Sequence, residues 1–151
     1  MQVGRICSRR VVTVLPTASA VEVARRMRDA CVGSIVVAEP REGRRHVHGI
    51  VTDRDLVVKV LAVDPAGLAS TRAADLLTGE VVSCRERDEV SDALELMKRH
   101  GIRRMPVIDA SGDLAGIIAL DDALRALADD IGRVGLLVTT QRMMEAQRND
   151  D

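Results

Sequence analysis

The stretch Gly49-Ile50-Val51-Thr52-Asp53-Arg54-Asp55-Leu56 returns in altered form as Gly116-Ile117-Ile118-Ala119-Leu120-Asp121-Asp122-Ala123. Each copy opens on a glycine and two apolar residues and ends in an acidic start to an apolar-periodic run. That is the pattern of a strand handing over to a helix. Working outward, the same order of segments precedes both copies. Val11-Val12-Thr13-Val14 recurs seventy positions later as Val81-Val82-Ser83-Cys84. Ala20, Val23, Ala24 and Met27 fall at i, i+3, i+4 and i+7, and so do Val90, Ala93, Leu94 and Met97. This is one amphipathic helix written twice. Ser19, with Thr17 nearby, is placed to cap the first helix, and Arg87-Asp88 precede the second. Ser34-Ile35-Val36-Val37 aligns with Arg104-Met105-Pro106-Val107, and both read as buried strands. A turn follows, over residues 39–45 in the first half and 109–113 in the second. There Asp109-Ala110-Ser111-Gly112-Asp113 has hairpin chemistry. Strands over residues 47–51 and 114–118 come next, and helices begin near Asp53 and Asp121.

A lead-in repeats as well, residues 3–8 matching 73–78. Each half is therefore a βαββα unit behind a short lead-in. A half of this size cannot cover both faces of its own sheet. The expected fold is mixed α/β (α+β), with two units packed about a pseudo-twofold axis. Residues 1–67 form the first repeat with its lead-in, 68–128 the second, and 129–151 a helical tail outside the repeat. Residues 64–70, with Pro65 and Gly67, are the linker. In the tail Ile131, Val134 and Val138 have helical spacing, against which Gly132 and Gly135 count. The charged end, residues 147–151, is expected to fray.

The 151 residues are 46% apolar, yet include no Phe, Tyr or Trp. The core must be Val, Leu, Ile, Ala and Met. Nearly all basic residues are Arg, as GC-rich coding would favour. Without rings on which bases stack, and with a net charge of −1, the chain is not expected to bind nucleic acid. No apolar stretch approaches the ~20 residues of a membrane span. No signal-peptide hydrophobic region follows Met1-Gln2-Val3-Gly4-Arg5. Cys7, Cys31 and Cys84 are odd in number, far apart and outside any CxxC. They read as reduced, mostly buried small apolar residues of a cytoplasmic protein, with Cys7 the one that could be reactive.

His46 and His48 share one strand face near Glu42, but no third ligand stands at a diagnostic spacing, so no metal site is expected. His100, before Gly101, suits a helix C-terminus. There is no GxSxG, P-loop or GxGxxG motif. Asp121-Asp122 and Asp129-Asp130 read as solvated acids. No catalytic residue is assigned, and the chain is not expected to be an enzyme.

The two glycine-led stretches, in matching context over roughly residues 3–127, resemble the cystathionine-β-synthase-type (CBS) domain family, in the tandem arrangement called a Bateman module. The family pattern is Gly, two apolar residues, Ser or Thr, two variable residues, then Asp. The first half has it in full; the second has Ala119 in place of the hydroxyl residue. The resemblance implies Asp55 and Asp122 on ribose, Thr52 on phosphate, and strand residues around an adenine. The residues alone also support chemistry of that kind. Free N–H groups at a helix start favour an anion, and a carboxylate can accept from two hydroxyls. Thr52-x-x-Asp55 is equally close to an ordinary capping box, and the two readings are not exclusive. By the family's analogy each cleft is built across the pair, with Thr13, Val14, Ile35, Val36, Ser83, Met105 and Pro106 as candidate lining. Arg54, Lys59, Arg103 and Arg104 could neutralise phosphates. Lys59 reads more simply as a solvated surface residue, and Arg103-Arg104 is the favoured pair. The sites are expected to be unequal, the better one at Asp55 and a weaker or empty one at Asp122.

The expected function is a regulatory module that binds AMP, ADP, ATP or a related adenosyl ligand between the repeats and signals in trans to a partner protein. No obligatory cofactor is expected. The resemblance implies a homodimer, for which rows at Leu56, Val57, Val60 and at Ala123, Leu124, Leu127 supply an apolar face. The rivals are a structural or interaction module without ligand binding, which Ala119 favours, and a thiol- or metal-dependent enzyme, for which no cluster stands in the sequence.

Overall fold

Two three-stranded sheets, ordered β1-β2-β3 and β4-β5-β6, carry the fold, each with one parallel and one antiparallel pairing. In the first half these are β1 (Thr13–Val14), α1 (Ala20–Ala30), β2 (Ser34–Arg41), β3 (Arg44–Thr52) and α2 (Asp53–Asp55). The last widens into a π-helical stretch, Leu56–Leu61. The second half begins at α3 (Ala73–Leu76) and continues through β4 (Cys84–Arg85), α4 (Val90–His100), β5 (Arg104–Ile108), β6 (Leu114–Ala119) and α5 (Leu120–Asn149). The computed structural model describes residues 1–149. Asp150 and Asp151, the last of the end expected to fray, lie outside them.

The pseudo-twofold axis can be read from contacts between equivalent residues. The bridge Gln2↔Glu89 and the bridge Ser19↔Arg72 exchange when each residue is moved by the repeat offset. His46 bridges Asp113, its own equivalent, so the axis passes between them. Both sheets are interrupted at the same place. The β2–β3 register skips His48, and the β5–β6 register skips Ala115, its counterpart. A bulge of this kind re-aims a strand, and here both bulges bring a glycine, Gly49 or Gly116, under the other lead-in.

The lead-ins are exchanged between halves. Val3 is fully buried among Cys84, Val90, Met97 and Ile118 of the second half. Ala73 and Leu76 are buried among Val14, Val23, Ile35 and Val51 of the first. A Cβ on Gly49 would stand 2.8 Å from the Leu77 side chain, and one on Gly116 would stand 2.9 Å from the Ser8 carbonyl. The motif glycines therefore make room for the lead-in of the other half. A third cluster, Val36, Ala38, Val47 and Leu114, seals the two sheets together.

Four elements differ from expectation. The first hairpin has no seven-residue turn: β2 and β3 run to Arg41 and from Arg44, leaving Glu42 and Gly43 at φ 52° and 79°. Two successive positive φ values give the type I′ twist that suits paired strands. The tail is not a separate element, since α5 continues unbroken from Leu120 through Gly132 and Gly135. Cys31 is exposed rather than buried, because it ends α1 in the left-handed conformation, where Gly101 ends α4. Leu56, Val60 and Ala123 are buried against their own repeats, so of the expected rows only Val57, Leu124 and Leu127 are exposed, with Val58 and Leu61 beside Val57.

Candidate functional site: two clefts related by the pseudo-twofold axis

Ser19, Thr52, Arg72 and Ala119 each have an acidic residue three places on, and each carboxylate accepts from the backbone N–H at the helix start. At Thr52 the box is complete. Asp55 Oδ2 accepts from the Thr52 N–H at 2.8 Å and the Thr52 hydroxyl at 2.7 Å, while the Asp55 N–H donates to Thr52 Oγ1 at 3.2 Å. Asp55 Oδ1 pairs with Lys59 at 2.8 Å, and Lys59 Nζ also donates to the Leu76 carbonyl at 2.7 Å. Burial pushes the Asp55 carboxyl up, but hydrogen bonds from Lys59 and Thr52 outweigh it and hold the pKa below the ordinary aspartate value. Lys59 is thus a bridge between α2 and α3, not a solvated surface residue.

This helix start forms one wall of a cleft of about 480 Å³, within the range of small-molecule sites. The same wall carries Gly49, Ile50, Thr52 and Arg54. The lead-in segment Leu77–Val82 forms the floor, and Gly101–Arg104 with Pro106 forms the far wall. Four cationic side chains, Arg54, Lys59, Arg103 and Arg104, face three carboxylates, Asp53, Asp55 and Glu80. Arg54 and Arg103 have no ion pair among the described residues. The apolar surface is aliphatic: Ile50, Leu77, Val81, Val82, Ile102 and Pro106. His48, the bulged residue, reaches the rim. Its ring meets His46 edge-on at 5.2 Å, and its Nε2 lies 3.0 Å from Glu39 Oε1 without hydrogen-bond geometry.

The axis carries this cleft onto a second, of about 360 Å³. Arg10–Val12 replace Glu80–Val82, Cys31–Ser34 replace Gly101–Arg104, and Ile117, Ala119, Asp121 and Asp122 replace Ile50, Thr52, Arg54 and Asp55. The wall lacks the threonine hydroxyl, and among the described residues Asp122 accepts only from the Ala119 N–H, at 2.9 Å. Arg125, on the next turn, adds a cation.

Of the fourteen residues named from sequence, Thr52, Arg54, Asp55, Lys59, Arg103, Arg104 and Pro106 come together in the larger cleft and Asp122 in the smaller. The other six lie outside both. Val14, Ile35, Val36 and Met105 are buried in the core clusters, and Thr13 pairs inside the first sheet. Ser83 stands one residue past the floor segment. The reason is register: β1 first pairs at Thr13 with Val36, so a side chain at or beyond that point enters the sheet. The lining comes from residues just upstream, Arg10–Val12 and Glu80–Val82, which the sequence reading missed. Their signal was a charged residue leading each apolar pair.

Comparison with known proteins places these clefts in context. The CBS domain family model matches residues 3–62 and 73–129. An uncharacterized protein of Methanopyrus kandleri is 37% identical over 125 residues, 83% of this chain and 62% of that protein, so the chain spans less than two thirds of its length. The CBS domain-containing protein YhcV of Bacillus subtilis is 35% identical over 112 residues, 74% of this chain and 75% of that one. Among solved structures, a CBS domain protein from Pyrobaculum aerophilum complexed with AMP superposes with a TM-score of 0.70 at 25% identity, covering 81% of this chain and 89% of that one.

Proposed function

Since the chain belongs to the CBS domain family, as a tandem pair, we propose that it is a regulatory, non-catalytic module binding an adenine nucleotide in the larger cleft. The observation that carries this reading is the pairing of chemistries across that cleft. An aliphatic slot, Ile50, Val81, Val82 and Ile102, lies between the helix start with Arg54 and the far wall with Arg103, and neither arginine has an ion pair among the described residues. A purine fits the slot without an aromatic ring. The ribose hydroxyls would approach Asp55, and the phosphates Thr52, Arg54 and the Arg103-Arg104 pair. The AMP complex of the Pyrobaculum aerophilum relative supports the ligand class.

In this reading the repeats are residues 1–67 and 68–128, each borrowing the other's lead-in, with residues 129–151 a tail outside them. Asp122 marks the weaker site. The module acts in the cytoplasm as a homodimer and passes its state in trans to a partner protein. Among the described residues no helix is long and apolar enough to cross a membrane. Differential nucleotide affinity for two arrangements of the repeats is the physical basis of such a signal.

Melting curves with and without AMP, ADP and ATP test the proposal. A ligand at a hundred times its Kd adds about 2.7 kcal/mol to stability, and Asp55→Ala should abolish that gain.

One observation favours a second reading, a structural module without ligand. Both oxygens of Asp55 are already engaged, by Thr52 and by Lys59. If no nucleotide moves the melting point and Asp55→Ala lowers it equally in every sample, the carboxylate is a cap alone.

A further inference from the structure

From Leu124 to Val138, α5 presents an apolar seam that no other described residue covers. Leu124, Leu127, Ile131, Val134 and Val138 follow one another at alternating steps of three and four residues. All are exposed, Ile131 by 73% and Val134 by 59%. On a helix this spacing confines these five to a narrow stripe, the seam of a coiled coil, while the exposed Leu136 and Leu137 lie off it. A monomer would leave the stripe in water over about 21 Å of a helix about 45 Å long.

We propose that α5 pairs antiparallel with α5 of a second copy of this chain. Ile131 of one copy then packs against Val134 of the other, and Leu127 against Val138. Two features of the flanks select this arrangement. First, centring the pair between Gly132 and Arg133 brings Asp121 opposite Arg142 of the second copy, once at each end. Both side chains are exposed. A parallel pair would set Asp130 against Gly135 and Arg142 against Leu137, leaving the charges unmatched. Second, the same flank places Ala128 opposite Gly135, and two small residues let the backbones approach closely. Gly135, costly in an isolated helix, thus stands where a close partner would use the space. The occupant is another copy because the stripe is complementary to itself about a twofold axis. This inference does not depend on nucleotide binding.

Sedimentation equilibrium of the full chain, with circular dichroism to check folding, tests it. The wild type should be a dimer. Ile131→Asp and Val134→Asp should each raise the dimer dissociation constant by about a hundredfold with the melting of the repeats otherwise unchanged. Val57→Asp, outside α5, should leave it as it is. Asp121→Arg and Arg142→Asp should each weaken the dimer, and the double exchange Asp121→Arg/Arg142→Asp should restore it. A monomeric wild type overturns the proposal, as does a dimer that survives Ile131→Asp. Loss of the dimer in Val57→Asp moves the interface to the repeats, and failure of the double exchange excludes the antiparallel register.

Discussion

Arg104 and Ser34 hold the same place in the two repeats, and the arginine Nη1 donates to the serine hydroxyl across 3.1 Å. Equivalent residues that touch mark the pseudo-twofold axis, so this bond stands on it. It also stands between the clefts: Arg104 and Gly33 line both. Where the first repeat has a serine, the second has a long cation that reaches either site. The asymmetry of one side chain is thereby shared by two pockets.

Arg104→Ala should therefore weaken nucleotide binding in the larger cleft by roughly tenfold, the worth of one charge-assisted hydrogen bond. Any occupancy of the smaller cleft should fall as well. Isothermal titration with AMP and ATP reads both. Arg103→Ala, which touches only the larger cleft, should spare the smaller. Equal effects of the two variants on both clefts would remove Arg104 from its position between them.

Gly116→Ala should destabilise the protein by roughly 2 kcal/mol, the range of an overpacked core position. Its Cβ would meet the Ser8 carbonyl at 2.9 Å and Cys7 Sγ at 3.0 Å. One obstacle is backbone, which accepts from the Ile117 N–H at 3.0 Å, and cannot step aside without losing that bond. The variant should also expose residues 1–8 to protease before the rest of the chain, a loss that limited trypsin digestion would show at Arg5 and Arg9.

Cys31→Gly should do the opposite and stabilise by about 1 kcal/mol, raising the melting point by roughly 2–4 °C. Cys31 is held at φ 53°, where a Cβ is strained and glycine is not. Gly101 makes the same cap in the second repeat at φ 63°.

Much of this architecture was legible because it is written twice. The offset between copies located the strands, both amphipathic helices and the helix starts at Asp53 and Asp121 without any long-range information. The exchange of lead-ins was not legible. Residues 3–8 and 73–78 resemble one another, and nothing local records which half each will dock on. Gly49 and Gly116 leave the space that the opposite lead-in fills, but both halves carry that glycine. The first hairpin was hidden because Pro40 and its charged neighbours look like a loop, while β2 and β3 are long enough to pair through them. The unbroken α5 was hidden because two glycines each cost about 1 kcal/mol in a helix, which the residues around them outweigh. Within the site, the carboxylates and arginines were legible by type. The floor was not, because one step of strand register decides whether a residue lines a cleft or enters the core.

Asp55 should make stability depend on acid. Its folded pKa lies below the ordinary value, since hydrogen bonds from Lys59 and Thr52 overcome its burial. A group of that kind contributes stability that is full above the unfolded pKa and is lost as pH falls through the folded one. The melting point of the wild type should fall below about pH 4, and Asp55→Asn should melt lower at neutral pH with a shallower acid limb. Parallel acid limbs in the two proteins would show that the carboxylate contributes nothing to folding.

Cys84 should show the reverse dependence at the alkaline end. Its thiol is buried at the head of β4, and burial, with the Asp88 carboxylate and Cys7 nearby, pushes its pKa from 9.0 up to about 12. Between those values the unfolded chain has released the proton and the native one still holds it. The unfolded state then binds fewer protons, so stability must decline as pH rises through that window. The slope should be shallower in Cys84→Ala, measured by urea unfolding at pH 8 and pH 10. Thiol reactivity offers an independent reading, because the thiolate is the nucleophile. Iodoacetamide at pH 8 should modify exposed Cys31 first, Cys7 slowly, since burial raises its pKa too, and Cys84 only when the protein unfolds. Early labelling of Cys84 in the folded protein would mean that the second repeat opens locally around β4, and the alkaline slope would then vanish with it.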